Sequence, residues 1–318
     1  MSTAAPDEPM ETPAESAIRA LVDDFAARRP IRAGAFIVTL YGDLIVPRGG
    51  AVWIGNVIET CAEVGISETL VRTAVSRLVA AGRLDGVRDG RRSFYALTPA
   101  ARAEFAAASD TLYHFSKKSL QNTGFTVVLM TASEARPTFS ESLLRAGFAA
   151  VGTNAAVRAG APTDAGRAVL AGAAAAGALV INGVSEACGG TDGLRAFARS
   201  TWDLDTLSAD YESFLAWFAP LRDALAGALA PQGVASLVGR LLLVHEFRAV
   251  ALRDPGLPAE ALPPDWAGAA ARRLFADLYR ALAGAADAYA CGRFVGRDGP
   301  LVLDRTVMDA RLYALSAL

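Results

Sequence analysis

Ser67-Glu68-Thr69-Leu70-Val71-Arg72-Thr73-Ala74-Val75-Ser76-Arg77-Leu78-Val79-Ala80-Ala81-Gly82 carries its own punctuation. Ser67 is a good N-cap, Glu68 suits the positive end of a helix dipole, Ile66 can staple onto Val71, and Gly82 tolerates the left-handed conformation that closes a helix. A helix over about 68–81 is therefore predicted. It gathers Leu70, Ala74, Val75, Leu78 and Val79 on an apolar face and leaves Arg72, Thr73, Ser76 and Arg77 together on a cationic, hydroxylated one. Most surface helices have a charged outer face, so what surrounds this one decides its meaning.

Upstream, Trp53 to Val64 reads as a helix that Gly65 stops. Downstream, Asp89-Gly90 separates Arg83-Leu84-Asp85-Gly86-Val87-Arg88 from Arg91-Arg92-Ser93-Phe94-Tyr95-Ala96-Leu97. An Asp-Gly pair between two such runs predicts a two-residue hairpin with a type I′ turn. Helix, short turn, helix and Arg-rich hairpin together spell a winged helix-turn-helix, whose second helix enters the DNA major groove. From Leu70 to Arg102 seven arginines face only Asp85 and Asp89, a local excess of +5 in a chain of net charge −2. Guanidinium groups suit phosphates and guanine edges, and hydroxyls suit phosphates or bases. Arg72, Thr73, Ser76 and Arg77 are assigned to sequence reading, and Arg88, Arg91 and Arg92 to backbone or minor-groove contacts from the wing.

Working outward, Thr98-Pro99 reads as N-cap and N1 proline of a helix running toward Lys118. Ile18, Leu21, Val22 and Phe25 have helical spacing in a segment ended by Pro30, and another helix covers about 33–45. Residues 1–15 hold Asp7, Glu8, Glu11 and Glu15 with three prolines and no apolar stretch, and read as a disordered acidic tail rather than a secretory signal. Between 125 and 185 the order is strand Phe125–Thr131, helix about 138–146, strands Phe148–Thr153 and about 154–159, helix about 164–176 and strand Ala178–Val184. That βαββαβ order is the ferredoxin-like arrangement. Beyond about 200, three long helical patterns (206–229, 232–253 and 265–290) appear without a strand. The predicted class is α+β and multidomain: tail at 1–15, winged-helix domain at 16–120, ferredoxin-like domain at 121–200, all-α domain at 201–318.

With 318 residues, 53% apolar and 20% charged, the chain is long enough for several packed domains and is neither disordered nor fibrous. Its three widely spaced cysteines give no disulfide framework or CxxC metal pair and fit a reducing cytoplasm. The uncharged run Ala168–Ser185 is broken by glycines, so no membrane span is expected. No GxGxxG, GxxxxGK[ST] or GxSxG occurs, and His245-Glu246 lacks the second histidine of HExxH because position 249 is Ala249. No catalytic residue, metal or cofactor is expected. His245 on an apolar helix reads as a hydrogen-bonded structural group ahead of an effector contact, and His114 as surface or interface. Trp202, Tyr211, Phe214, Trp217, Phe218 and Trp266 read mainly as core, while Arg240, Arg248, Arg272 and Arg273 are cations that a CoA effector could use; no effector residue is assigned.

Tyr41-Gly42-Asp43, Arg48-Gly49-Gly50, Trp53-Ile54-Gly55, Leu70 to Leu78 and Gly90 to Thr98 resemble the PaaX family of phenylacetate-degradation repressors. A second match lies in His245-Glu246-Phe247-Arg248, Arg253-Asp254-Pro255, Leu257-Pro258, Leu262-Pro263-Pro264-Asp265-Trp266 and Gly268. The resemblance implies a homodimeric repressor bound to double-stranded operator DNA, with a winged helix, a central domain similar to the Cas2 fold and a helical C-terminal domain. It also implies release by an aryl-acyl-CoA effector, phenylacetyl-CoA in the type member. The central segment departs from the family at Asn122-Thr123-Gly124 and Val151-Gly152-Thr153-Asn154. Where Cas2-type nucleases carry an acid, this chain has Thr131-Ala132-Ser133, which disfavours nuclease activity. The alternative reading is an enzyme acting on CoA thioesters or nucleic acid, with the winged domain mediating protein contacts; the sequence offers it no convergent acid, base and nucleophile.

Overall fold

A computed structural model describes residues 11–28, 30–114, 124–130, 136–162, 164–183, 190–227 and 230–317. Helices and small antiparallel sheets are mixed along the chain, an α+β fold. The described chain falls into two compact units that do not follow the expected boundaries at 120 and 200: one combines 1–113, 213–248 and 270–318, the other 114–212 and 249–269. The helices assigned to a separate C-terminal domain are thus shared between the units.

In the first unit, α1 (Pro13–Ala27) opens with a capping box: Thr12 Oγ1 accepts from the Glu15 amide and Glu15 accepts from the Thr12 amide, with Pro13 at N1. Residues 12–15, expected in a disordered tail, are therefore the N-cap and first turn of a helix; residues 1–10 of that tail lie outside the described residues. Ala14, Ile18, Leu21 and Phe25 form its buried stripe. α2 (Ala33–Leu40) widens into one π-helical turn, Tyr41–Ile45, and a 3₁₀ turn, Val46–Arg48, so the single helix expected over 33–45 changes pitch. The Gly42 and Asp43 carbonyls in that turn accept from Arg311 Nη2 and Nη1 at 3.1 and 3.0 Å.

Strand β1 (Ala51–Trp53) leads into α3 (Ile54–Ala62), so Trp53 ends a strand rather than starting a helix. Gly65, at φ +75°, makes the turn into α4 (Glu68–Ala80), whose N-cap is Ser67. β2 (Leu84–Asp89) and β3 (Arg92–Leu97) form the hairpin, and β1 completes the sheet in the order β1-β3-β2. Asp89 pairs with Arg92, so the two turn residues are Gly90 and Arg91, not Asp89 and Gly90. Only Gly90 has positive φ (+56°), which is the type II′ pattern with glycine first rather than the expected I′. Thr98 caps α5 (Pro99–Tyr113) by accepting from the Ala101 amide at 3.2 Å; its expected extension to Lys118 lies outside the described residues.

The second unit runs β4 (Phe125–Leu129), α6 (Arg136–Arg145), β5 (Ala149–Val151), β6 (Ala155–Ala159), α7 (Asp164–Ala175) and β7 (Leu179–Gly183). The sheet order is β5-β6-β4-β7 with every neighbour antiparallel. Val128, Leu143, Phe148, Ala156 and Leu170 form the core of this layer. Thr131-Ala132-Ser133, Asn122, Thr123, Val184 and Cys188 lie outside the described residues. α8 (Gly190–Trp202) follows, with Trp202 stacked on Phe125. α9 (Leu204–Leu225) passes from this unit into the first at residue 213.

α10 (Gly233–Ala251), α11 (Gly268–Arg293) and α12 (Arg305–Ser316) are the remaining helices. A short ribbon, β8 (Val295–Gly296) with β9 (Gly299–Pro300), interrupts the segment expected to be all helical, and α12 lies beyond the three helices expected there. Within the first unit these late helices close over the early ones through a buried ionic network. Asp43 accepts from Arg240 Nε at 2.8 Å and from the hydroxyls of Tyr113 and Tyr279 at 2.8 and 2.9 Å. Arg240 Nη1 also donates to Asp287 at 2.6 Å, and Arg48 pairs with the same carboxylate. Burial raises the Asp43 carboxyl, but Arg240 and then Arg311 outweigh it and hold the group below the ordinary range.

His245 sits between the rings of Phe25 and Phe36, at 5.6 and 5.5 Å. Its Nδ1 lies 3.0 Å from Thr39 Oγ1, which gives its single proton to the Ala35 carbonyl, so Nδ1 carries the hydrogen of this contact. Burial, then Arg248 and Arg28, lower its pKa from 6.5 to about 4. The folded state therefore binds fewer protons here than the unfolded one: the stability from neutral His245 is complete above pH 6.5 and is lost as pH falls toward 4. Denaturant midpoints measured across that window should fall by the equivalent of up to roughly 3 kcal/mol, and His245→Gln should flatten the dependence. Asp43→Asn strands buried guanidiniums and should cost about 3–5 kcal/mol by the same measurement at pH 7.

Candidate nucleic-acid interface

α4 buries Val71, Ala74 and Val75, with Leu78 half-buried. This stripe corrects the expected one by one position: Leu70 and Val79 are 45% and 40% exposed, because Val71 rather than Leu70 starts the i, i+3, i+4, i+7 series. The opposite face is as expected in composition. Arg72, Thr73, Ser76 and Arg77 are all exposed, as are Arg88, Arg91 and Arg92 on the hairpin.

The seven side chains are in different states. Thr73 Oγ1 donates to the Thr69 carbonyl at 2.8 Å, leaving its oxygen free to accept. Arg72 is turned along the helix onto Glu68, with Nε and Nη2 at 2.8 and 2.7 Å from the same oxygen, Oε1. Arg92 lies over the Trp53 ring, 5.1 Å from its centroid, and Arg88 Nε donates to the Gly90 carbonyl at 3.4 Å. Among the described residues, Arg77, Arg88, Arg91 and Arg92 have no acidic partner within salt-bridge distance.

A cleft of about 410 Å³ separates α4 from the hairpin. Arg72 and Ser76 line its helix side, and Arg88, Ser93 and Tyr95 its hairpin side. The cleft therefore joins two residues of the helix group, Arg72 and Ser76, and one of the wing group, Arg88, with two hydroxyls that sequence reading missed. Their signal was available: Ser93 and Tyr95 are two apart on β3 and so share a face. Gly86 on β2 is what lets Tyr95 lie across, since a Cβ there would stand 2.7 Å from its ring. Thr73 and Arg77 lie on α4 outside the cleft, and Arg91 and Arg92 are at and beside the hairpin tip.

Such a surface can offer guanidinium and hydroxyl donors to a polyanion along two ridges at once. Among the described residues no group of three or more His, Cys, Asp and Glu could hold a metal ion, and no helix is long and apolar enough to cross a membrane. The cations considered for an effector diverge: Arg240 is fully buried in the Asp43 network, Arg272 is buried, Arg273 is exposed and Arg248 is half-buried. Tyr211 packs edge-on against Trp266 and bonds Asp254, and Phe214 and Phe218 belong to the core.

Residues 32–101, which contain this whole surface, match the family model "PaaX-like protein", and residues 202–292 match "PaaX-like protein C-terminal domain". The chain is 32% identical over 272 residues to the transcriptional repressor PaaX of Escherichia coli K12, covering 82% of this chain and 83% of that one. A solved structure of an uncharacterized protein from Mycobacterium tuberculosis is 23% identical, with a TM-score of 0.44 over 74% of this chain and 90% of the other. Both family models and a relative matched over most of its length agree: this chain belongs to the PaaX-like family.

Proposed function

We propose that this protein is a DNA-binding transcriptional repressor, and that α4 is the recognition helix and β2–β3 the wing of a winged helix-turn-helix. The observation that carries this is the exposed Arg72, Thr73, Ser76 and Arg77 face, flanked across a cleft by a hairpin whose arginines have no acidic partner among the described residues. The related Escherichia coli protein being a transcriptional repressor supports it. By the same kinship the function is repression of an aromatic-acid, phenylacetate-type operon in the cytoplasm, relieved by an aryl-acyl-CoA. The antiparallel order β5-β6-β4-β7 supports a ferredoxin-like reading of the second unit. A homodimer on a palindromic operator would place half-sites about one helical turn, roughly 34 Å, apart.

The test is titration of the purified protein onto DNA from its own upstream region at two salt concentrations, with and without phenylacetyl-CoA. Tight, salt-sensitive binding released by the thioester is expected. Binding that ignores the thioester would remove the effector and keep the repressor. Arg72→Ala with Arg77→Ala should reduce discrimination between operator and random DNA by about 10-fold or more, whereas Arg91→Ala with Arg92→Ala should weaken both about equally and lower the salt slope by about 1–2. Unchanged operator affinity in the first double variant would remove α4 from the reading role.

A further inference from the structure

We propose that Glu68, and not only the arginines and hydroxyls of α4, reads sequence: its free carboxylate oxygen accepts from a cytosine amino group while it orients Arg72 toward a neighbouring guanine. This rests on the DNA-reading role of α4 proposed above. Both contacts with Arg72 use one oxygen, Oε1, through Nε and Nη2. Oε2 of Glu68 and Nη1 of Arg72 have no partner among the described residues, and both side chains are more than half exposed. The pair is thus an acceptor and a donor fixed side by side, with one free edge each.

Position and charge give that pair a meaning beyond helix stability. Glu68 is the first residue of α4, and the N-terminal turn of a recognition helix is the part that meets base edges. Around it, Arg77, Arg88, Arg91 and Arg92 have no acidic partner among the described residues, so the surface is otherwise built to attract phosphate. A carboxylate there opposes phosphates and the acceptor edges of guanine and thymine. Only a base amino group repays it, and cytosine N4 is the donor that suits a carboxylate in the major groove. Arg72, held through Nε and one Nη2 hydrogen, keeps Nη1 and the second Nη2 hydrogen for guanine O6 and N7. Glu68 thereby penalises wrong sites, which raises specificity without raising affinity.

The experiment starts with wild-type protein enriching duplexes from a randomised library. The enriched duplex and a scrambled duplex of equal composition are then the probes. Glu68→Gln should bind the scrambled duplex several-fold more tightly and lose about tenfold of discrimination. Repeating the enrichment with this variant should move one position from cytosine toward adenine, the base an amide reads best, and leave the rest of the motif intact. Glu68→Ala should leave that position degenerate, and its salt slope on the scrambled duplex should steepen by about one as Arg72 becomes free to reach a phosphate. The same motif and the same discrimination in both variants would overturn the proposal, leaving Glu68 a helix-end charge. Loss spread evenly over the motif with a lowered melting temperature would also overturn it, in favour of a structural role. A wild-type protein that enriches no sequence would instead remove the DNA-reading role itself, and this inference with it.

Discussion

The carboxylate of Asp43 is fully buried, and much of the first unit is arranged to keep it charged. Arg240 bridges it to Asp287, Arg48 pairs with the same Asp287 oxygen, Oδ1, and Arg311 closes on Asp43 and on the carbonyls of the π-helical turn. Three guanidiniums against two carboxylates is a costly set to take out of water. Tyr113 and Tyr279 add two hydroxyl donors to Asp43, whereas Arg48 Nε and Arg311 Nε are buried without a hydrogen-bond partner among the described residues. Such a network adds little net stability compared with an apolar core, but it tolerates few alternative arrangements. That is why α2, α5, α10, α11 and α12 have a defined fit to one another.

The local parts of this fold could be read from sequence because their causes are local. Ser67 and Thr98 cap the helices that follow them, Gly65 and Gly82 sit in the left-handed conformation, and the hairpin lies where two β-prone runs flank a glycine. The hairpin turn was misplaced by one residue because Asp89-Gly90 and Gly90-Arg91 both contain a glycine that can take positive φ; the pairing of Asp89 with Arg92 chose between them. The apolar face of α4 slipped because Leu70 and Val71 are adjacent, and only packing tells which one faces inward. The caps and turns that were legible required no contacts distant in sequence, whereas the inward face of α4 is set by its packing on α2 and α3.

What could not be read depends on such contacts. Arg240 looked like a cation available to an anionic ligand, and nothing near it in sequence announces Asp43 or Asp287 as partners. The sharing of the C-terminal helices between two units, the β8–β9 ribbon and the ring cage of His245 belong to the same kind. At the candidate interface the charged positions were legible as a composition bias, whereas the cleft hydroxyls of Ser93 and Tyr95 became functional candidates only with the hairpin folded beside α4. Surface chemistry is written one residue at a time; burial is a property of the whole chain.

The span of the Asp43 network also bears on how the protein is made. Asp43 and Arg240 are 197 positions apart, and Arg311 meets the carbonyl of Asp43 from 268 positions away. At translation rates of about 5–20 residues per second, the early segment waits on the order of 15–50 s for its last guanidinium to be synthesised. Arg240 and the two tyrosines reach the Asp43 carboxylate earlier, but until α12 is made the Gly42 and Asp43 carbonyls of the π-helical turn lack the Arg311 donors. The segment proposed to face DNA is thus synthesised well before its scaffold is complete, and a ribosome that stops short of α12 releases a chain whose ionic core lacks Arg311.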